Sequence, residues 1–416
     1  MERKLPWLMA GLTFMFLGFL MTGLNSSAVL FVVPITEELN MSRGLYSGSF
    51  FLLAIVQLIV ATFYGLISQK LKVRYVILIT AIMAVLSCIV SALAQNAAFI
   101  YLGATLRGAA LGLGMVPIAA SIISNWFDKH KGIMMGAVFS ASGFGGLLLM
   151  YLFTSWVNSP DIGWRLAYYY ISVIIGIPMI IAFLFIKGSP EEAGTKPYGA
   201  SSDTEKNQNP STNNSLTFKQ ASNTSVFYIC ILIIFLICST FHGTFLHFGS
   251  FFSDMKINVS TLGIGLSLFS VGIMVGQMLY GYIHDNFGIG YIFPIAAIFY
   301  TIAITISLTF YIDALIILSF TILGFAVGIN LVSVGLLTSI FGKKHYSKII
   351  GVFSAIMALG MAIGPYVLGL AYDIHHTYKY IFIVYMCFAL GAGTLGFVLQ
   401  AQIKNLNKLK EELNST

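Results

Sequence analysis

Of the 416 residues, 58% are hydrophobic and only 9% are charged, a balance that leaves an ordinary water-soluble domain without the polar surface it needs. The chain reads as an integral membrane protein. Its formal net charge of +7, from 22 Lys and Arg against 15 Asp and Glu, falls almost wholly in the breaks between apolar stretches. That placement suits contact with an anionic inner leaflet and gives no reason to expect nucleic acid.

Apolar runs of about 20 residues, the length that crosses a bilayer as a helix, recur along the chain, and about twelve are predicted. In the first half they lie near Trp7–Val33, Tyr46–Ser68, Tyr75–Ala94, Ala98–Ser124, Gly132–Val157 and Leu166–Ile186. The first run is too long for a cleavable signal and no small-residue cleavage site follows it, so it is expected to stay as a span. The second half repeats the pattern near Ser225–Phe252, Leu262–Ile283, Ile292–Tyr311, Ala314–Ile340, Ile349–Ala371 and Tyr380–Gln400.

Loop charges predict the orientation. With the N-terminus inside, the inner segments hold seventeen Lys and Arg, whereas the outer loops hold four, Arg43, Arg165, Lys256 and Lys379. Arg107 alone is left within a span. Both ends are therefore expected on the cytoplasmic side of a cytoplasmic membrane. Cys88, Cys230, Cys238 and Cys387 all fall inside spans without metal or redox spacing, which makes them apolar packing residues.

Between Lys187 and Ser222 the composition turns to Ser, Thr, Asn, Gly and Pro, including SSDTEKNQNPSTNNS, as a solvated linker would. The predicted organisation is a first bundle over 1–186, a cytoplasmic linker over 187–222, a second bundle over 223–402 and a tail over 403–416. The halves look related. Trp126-Phe127-Asp128-Lys129-His130-Lys131 precedes Val138-Phe139-Ser140-Ala141, and Phe341-Gly342-Lys343-Lys344-His345 precedes Val352-Phe353-Ser354-Ala355 at the same separation. Tyr64-Gly65 and Tyr280-Gly281 add a weaker correspondence. Parallel repeats joined by a polar linker predict two bundles that expose a midplane site alternately to each side.

Four stretches carry a resemblance to a known family. They are VLFVVPITEELNMSRGLYSGSF at the end of the first span, NWFDKHKG before the fifth, GWRLAYYY (Gly163 to Tyr170) opening the sixth, and GPYVLGLAYDIHHTYKYIF between the last two. Over essentially its whole length the chain resembles the major facilitator superfamily, and within it bacterial monocarboxylate and oxalate–formate carriers. The resemblance implies an all-α membrane protein with twelve transmembrane helices in two six-helix bundles, both termini cytoplasmic, working as a monomer without a cofactor. It also implies gating elements in the loops after the second and eighth spans. In the first of these Gly65 is kept but Gln69 stands where the family has Asp; in the second, GYIHDNFG keeps Asp285 and Gly288. The eighth and eleventh spans contain no Arg, Lys, Asp or Glu, where carriers of dicarboxylates and proton-linked monocarboxylates place charges.

The fourth span raises the sharpest chemical question. Arg107 lies about 13 Å from the outer end, close to the midplane, where lipid exposure would cost about 2.5–3.5 kcal/mol. Its side chain is therefore expected to face the bundle interior. No Asp or Glu is predicted deep in any span. A substrate carboxylate would match its planar fork, whereas the bland alternative is that it bonds backbone carbonyls and only fixes packing. The resemblance links this arginine to substrate binding or proton coupling. Gly103, Gly108 and Gly112 would allow close helix approach, and Pro117 would open the helix by a kink.

Helical spacing predicts further polar residues facing a cavity: Thr22, Asn25 and Ser26; Gln57 and Tyr64; Ser267, Ser270 and Gln277; Asn330 and Ser333. Of these, Asn25, Gln57, Gln277 and Asn330 are expected to share substrate contact with Arg107, although each amide could equally bond helix to helix. His242, deep in the seventh span, is the expected proton-coupling group together with Arg107. His247 is placed at the outer mouth. Five residues separate the two histidines, about 140° around a helix, so no metal site is expected.

These features predict a secondary transporter of a small organic anion, plausibly a monocarboxylate, coupled to protons or exchanging anions. An exporter of amphipathic drugs or metabolites is the alternative, and a non-transporting sensor a remoter one. There is no phosphate-binding Gly-x-x-x-x-Gly-Lys-[ST] run to support ATP-driven transport. The spans show no clustered acids, histidines or metal ligands of the kind an enzyme would need.

Overall fold

The computed structural model describes residues 4–127, 131–199, 218–330, 338–341 and 346–415. All regular structure among them is helical apart from one isolated bridge. Eleven of the described helical segments are long and apolar enough to cross a membrane, and Asp313–Val327 is a shorter apolar helix. In lipid only a helix satisfies its own backbone, so the apolar runs read from the sequence have no other stable form there.

In the first half, α1 is Leu5–Leu24, α2 Val32–Glu38, α3 Arg43–Lys70, α4 Val73–Ala92, α5 Ala97–Leu113, α6 Ala119–Trp126, α7 Lys131–Phe139, α8 Ala141–Val157 and α9 Gly163–Phe185. The second half holds α10 Phe218–Ser222, α11 Ser225–Asp254, α12 Val259–Phe287, α13 Ile292–Thr309, α14 Asp313–Val327, α15 Thr338–Phe341, α16 Tyr346–His375 and α17 Lys379–Ser415. The repeated Val-Phe-Ser-Ala motif behaves differently in the two copies. At Ser140 it separates α7 from α8, whereas Val352 to Ala355 run inside the continuous α16. Asp128 to His130, Ser333, Lys343 to His345 and the stretch SSDTEKNQNPSTNNS lie outside the described residues.

Two spans predicted as continuous are broken. The first ends as an α-helix at Leu24 and passes through a 3-10 turn, Ser26–Leu30, before α2. Here the Ser27 hydroxyl donates to the Gly23 carbonyl oxygen at 2.7 Å, the local competition by which Ser and Asn disturb helices. The fourth span widens into a π-turn, Gly114–Ile118, around Pro117. Proline lacks the N–H that the regular ladder needs, so the expected opening takes the form of a bulge.

Helix pairs approach through glycines four apart. A Cβ on Gly108 would lie 2.5 Å from the Leu53 carbonyl oxygen, and one on Gly112 2.7 Å from that of Gln57, so α5 meets the α3 backbone directly. Gly272 and Gly276 press α12 onto the Thr321 and Phe325 carbonyls of α14 in the same manner, and Gly360 and Gly364 press α16 onto α11 at Phe235 and Ser239. Van der Waals contact between backbones replaces the hydrophobic effect, which lipid does not supply between helices.

Contacts divide the chain into two units. One comprises Met1–Thr204 with Leu246–Ser270, the other Glu205–Phe245 with Val271–Thr416. Residues 246–270, which the sequence assigns to the second bundle, thus belong by their contacts with the first unit.

The polar stretch after α9 is also tied down. Trp126 donates through Nε1 to the Lys187 carbonyl at 2.8 Å, Asn125 to that of Gly188 at 3.0 Å, and the Tyr198 amide to that of Trp126 at 2.8 Å. The rings of Trp7, Phe127 and Tyr198 meet edge to face or tilted, at 5.6–5.8 Å. Chain as far as Tyr198 is therefore packed against α1 and α6, where composition alone suggests free linker.

Substituting Gly276→Val should lower thermal stability in detergent by about 1–3 kcal/mol, because the Phe325 carbonyl would have to move. Gly391→Ala, where a Cβ meets nothing within 4 Å, should leave the melting curve nearly unchanged. Equal melting temperatures for the two variants would contradict the close-packing account.

Candidate functional site

Arg107 is the eleventh residue of α5, about 15 Å from its start, and is 6% exposed. As the sequence requires, its side chain faces the interior. One terminal nitrogen donates to the Tyr168 hydroxyl of α9 at 3.3 Å, and among the described residues Nε has no acceptor. Tyr46 of α3 and Cys88 of α4 are the other polar groups that interact electrostatically with it. No carboxylate among the described residues pairs with it. The surroundings are neutral donors and acceptors, which stabilise a cation less than an anion would.

Aromatic packing fixes this arrangement. The Tyr168 ring stacks on Phe31 at 3.8 Å between centroids, just past the break in the first span, and meets Trp164 edge-on at 6.2 Å. Trp164 donates to Glu38 at 2.6 Å, while Arg165 forms an ion pair with the same carboxylate at 2.9 Å and donates to the Ala92 carbonyl at 2.7 Å. The Gly-Trp-Arg motif is therefore a clamp that ties α9 to the end of α2 and to α4.

The four predicted amides are placed on two separate units. Asn25 caps α1 at its break, half-buried, and among the described residues its side chain makes no hydrogen bond. Gln57 points from α3 to the π-turn, where Nε2 approaches the Met115 sulfur at 3.6 Å. On the other unit, the Gln277 backbone abuts Gly328, two residues before Asn330. Asn330 is 7% exposed and accepts from the Cys238 thiol at 3.8 Å. His242 is half-buried with its ring 5.9 Å from that of Phe245, and makes no hydrogen bond among the described residues.

The predicted gating residues are unevenly supported by contacts. Gly65 has open space around it, and Gln69 is exposed. Asp285 is 77% exposed and pairs with its own neighbour, His284, at 2.9 Å. Gly288 ends α12 with φ +104°, a conformation that needs glycine, and packs against the Gln400 side chain. Among the described residues no group of three or more His, Cys, Asp or Glu could hold a metal ion.

One polar construction was not foreseen. At the start of α3, Arg43 grips Asp254 at the end of α11 through two bonds of 2.6 and 2.7 Å, with the arginine side chain only 8% exposed. One turn along α3, Ser47 bonds the His247 ring at 2.9 Å, and that histidine is completely buried, not at an open mouth. Arg43 and Ser47 are four apart, His247 and Asp254 seven apart, so each pair shares a helix face. Each pair's shared face is visible in the sequence, but nothing there says that the two faces meet.

A sequence model of the Major Facilitator Superfamily matches residues 15–258 and again 243–414. The chain belongs to the Major Facilitator Superfamily. It is a multi-pass membrane transporter and not an enzyme. The uncharacterized MFS-type transporter YcxA of Bacillus subtilis (strain 168) is 25% identical over 193 residues, 46% of each chain. Riboflavin transporter RibJ of Trypanosoma cruzi (strain CL Brener) is 31% identical over 87 residues, 20% of this chain and 18% of RibJ. The matched stretches thus span less than half the length of either relative.

Solved structures give the fold over nearly the whole length. A bacterial homologue of the human lysosomal transporter Spinster, inward-facing and occupied, has a TM-score of 0.71 at 15% identity, covering 96% of this chain and 97% of that one. The D-xylose-proton symporter gives 0.70 at 17% identity over 94% and 96%, and nucleoside transporter NupG 0.69 at 13% over 96% and 99%. This superfamily transporter shares their architecture, at identities too low to carry a substrate across.

In a double-mutant cycle, Arg43→Ala and Asp254→Ala should show a coupling of about 1–3 kcal/mol in thermal stability, because the pair is bidentate and largely shielded from water. Additive effects within about 0.3 kcal/mol would show that the bridge contributes nothing.

Proposed function

We propose that this transporter carries a small organic anion, a monocarboxylate in the first instance, by alternating access coupled to protons or to exchange of a second anion. The observation that carries this reading is the Arg107 guanidinium, buried in the bundle with Nε lacking an acceptor and with phenols and a thiol in place of a carboxylate. A substrate carboxylate would supply both the missing charge and a planar, bidentate partner. Burying the cation without that partner is unfavourable, so ligand and arginine stabilise each other.

In this reading the bundles 1–186 and 223–402 move as the two halves, with both ends of the chain cytoplasmic and 187–222 as the joining linker. Asn25, held at a helix break with its amide free, is the nearest of the proposed amides to irregular backbone, where transporters of this kind bind substrate. Gln57, Gln277 and Asn330 complete the proposed polar lining, with His242 as the proton carrier and the loops at Gly65, Gln69, Asp285 and Gly288 as gates. One observation favours a second reading, export of neutral amphiphiles: Arg107 bonds the neutral Tyr168 hydroxyl, whose ring is itself packed on Phe31 and Trp164, as a purely structural arginine would accept.

Thermal unfolding of the purified protein against lactate, pyruvate, formate, oxalate, neutral metabolites and lipophilic cations separates the two. A bound ligand at 100 times its Kd should add about 2.7 kcal/mol. Under the anion reading a carboxylate gives this stabilisation and Arg107→Gln abolishes it; response to amphiphiles alone, indifferent to the substitution, would make Arg107 structural. His242→Gln should flatten the pH dependence of uptake in proteoliposomes, and an unchanged profile would exclude His242 as the proton carrier.

A further inference from the structure

A second arginine is also short of an acceptor, far from Arg107. Arg74 is the second residue of α4, and among the described residues its buried Nε has no hydrogen-bond partner. Its guanidinium lies over the Phe183 ring of α9 at 5.0 Å and near that of Tyr75 at 5.6 Å. The two rings are 6.5 Å apart across the seam between α4 and α9. Stacking on ring faces holds the guanidinium in place and leaves its in-plane N–H groups directed elsewhere.

The neighbourhood carries four cations, Arg74, Lys70, Lys72 and Lys187, against two acids, Glu191 and Glu192. Lys70 and Lys72 are exposed on the turn between α3 and α4, and exposed Lys187 follows α9, adjoining Gly188, which packs on Val73. None of these four cations forms an ion pair among the described residues. Glu192 accepts from the Gly188 amide at 3.0 Å. Lys72 makes no side-chain cap for α4, whose first turn contains no acid.

What distinguishes the place from a site for a soluble anion is the apolar surface leading to it. On α9, Ile177, Ile180 and Leu184 are each more than half exposed, at the 3–4 residue spacing of one helix face. Tyr75, Ile82 and Leu86 expose the corresponding face of α4. Acyl chains would cover these faces while a headgroup lies at Arg74. Basic pockets between transmembrane helices at the cytoplasmic side have this form.

We propose that the Arg74 end of the α4–α9 seam is a binding site for an anionic glycerophospholipid, with the phosphate bonded by Arg74 and flanked by Lys70, Lys72 and Lys187. The site lies apart from Arg107 and does not depend on the reading of the substrate. Purified full-length protein in neutral detergent, titrated with phosphatidylglycerol, phosphatidylcholine or inorganic phosphate, tests it by native mass spectrometry and thermal unfolding.

The wild type should retain phosphatidylglycerol about fivefold better than phosphatidylcholine, the factor that one cation near an anionic surface contributes. Arg74→Gln should bring that ratio close to one, Arg74→Lys should restore part of it, and inorganic phosphate alone should not shift the melting curve. A phosphatidylglycerol preference that is absent from the wild type, or unchanged in Arg74→Gln, overturns the proposal. Stabilisation by phosphate equal to that by the lipid would overturn it in favour of a soluble-anion site. Should Arg74→Gln fail to fold, the exposed pair Lys70→Gln and Lys72→Gln must lower the preference; no loss there is likewise fatal to the idea.

Discussion

A guanidinium cannot be left bare among hydrocarbon, and much of the first unit is organised around that constraint at Arg107. Four elements supply its surroundings: α3 through Tyr46, α4 through Cys88, α9 through Tyr168, and the broken first span through Phe31, which holds the Tyr168 ring. Gly108, next in the chain, lets α5 come within backbone contact of α3, so that α3 and its tyrosine can stand close. A charge that must be enclosed and helices that must pack closely are thus satisfied by one arrangement.

The irregular backbone belongs to the same region. The first span breaks at Asn25 and the fourth bulges at Pro117, each freeing backbone groups that lipid could not satisfy. Gln57 reaches toward the bulge and Phe31 follows the break, so both departures from regular helix adjoin the helices that enclose Arg107. Interior placement is what makes them tolerable. It also leaves polar atoms where a substrate could use them.

Arg74 shows the same physics at the surface. An aromatic face carries its guanidinium at the edge of the apolar zone, whereas that of Arg107 in the interior bonds to the Tyr168 hydroxyl. Under the two proposals the first is met by a lipid phosphate and the second by a substrate carboxylate. Arg43 is the contrasting case, since Asp254 neutralises it within the chain.

Hydropathy is a one-dimensional quantity, and what depends on it was legible: the membrane class, about twelve spans and the interior direction of Arg107. The glycines four apart on α5 were legible too, because spacing on one helix fixes which face they share. Which faces meet is a property of two helices at once, and it decided the rest. Residue spacing could not announce that His247 would be buried against Ser47, that Tyr168 and Tyr46 would surround Arg107, or that chain up to Tyr198 would pack against Trp7 and Phe127. Each pairs residues dozens to hundreds of positions apart, so only tertiary packing could bring them together. The sequence determined which groups need a partner in the membrane, because that follows from the chemistry of the side chain; the tertiary structure decided which of them found one inside the chain.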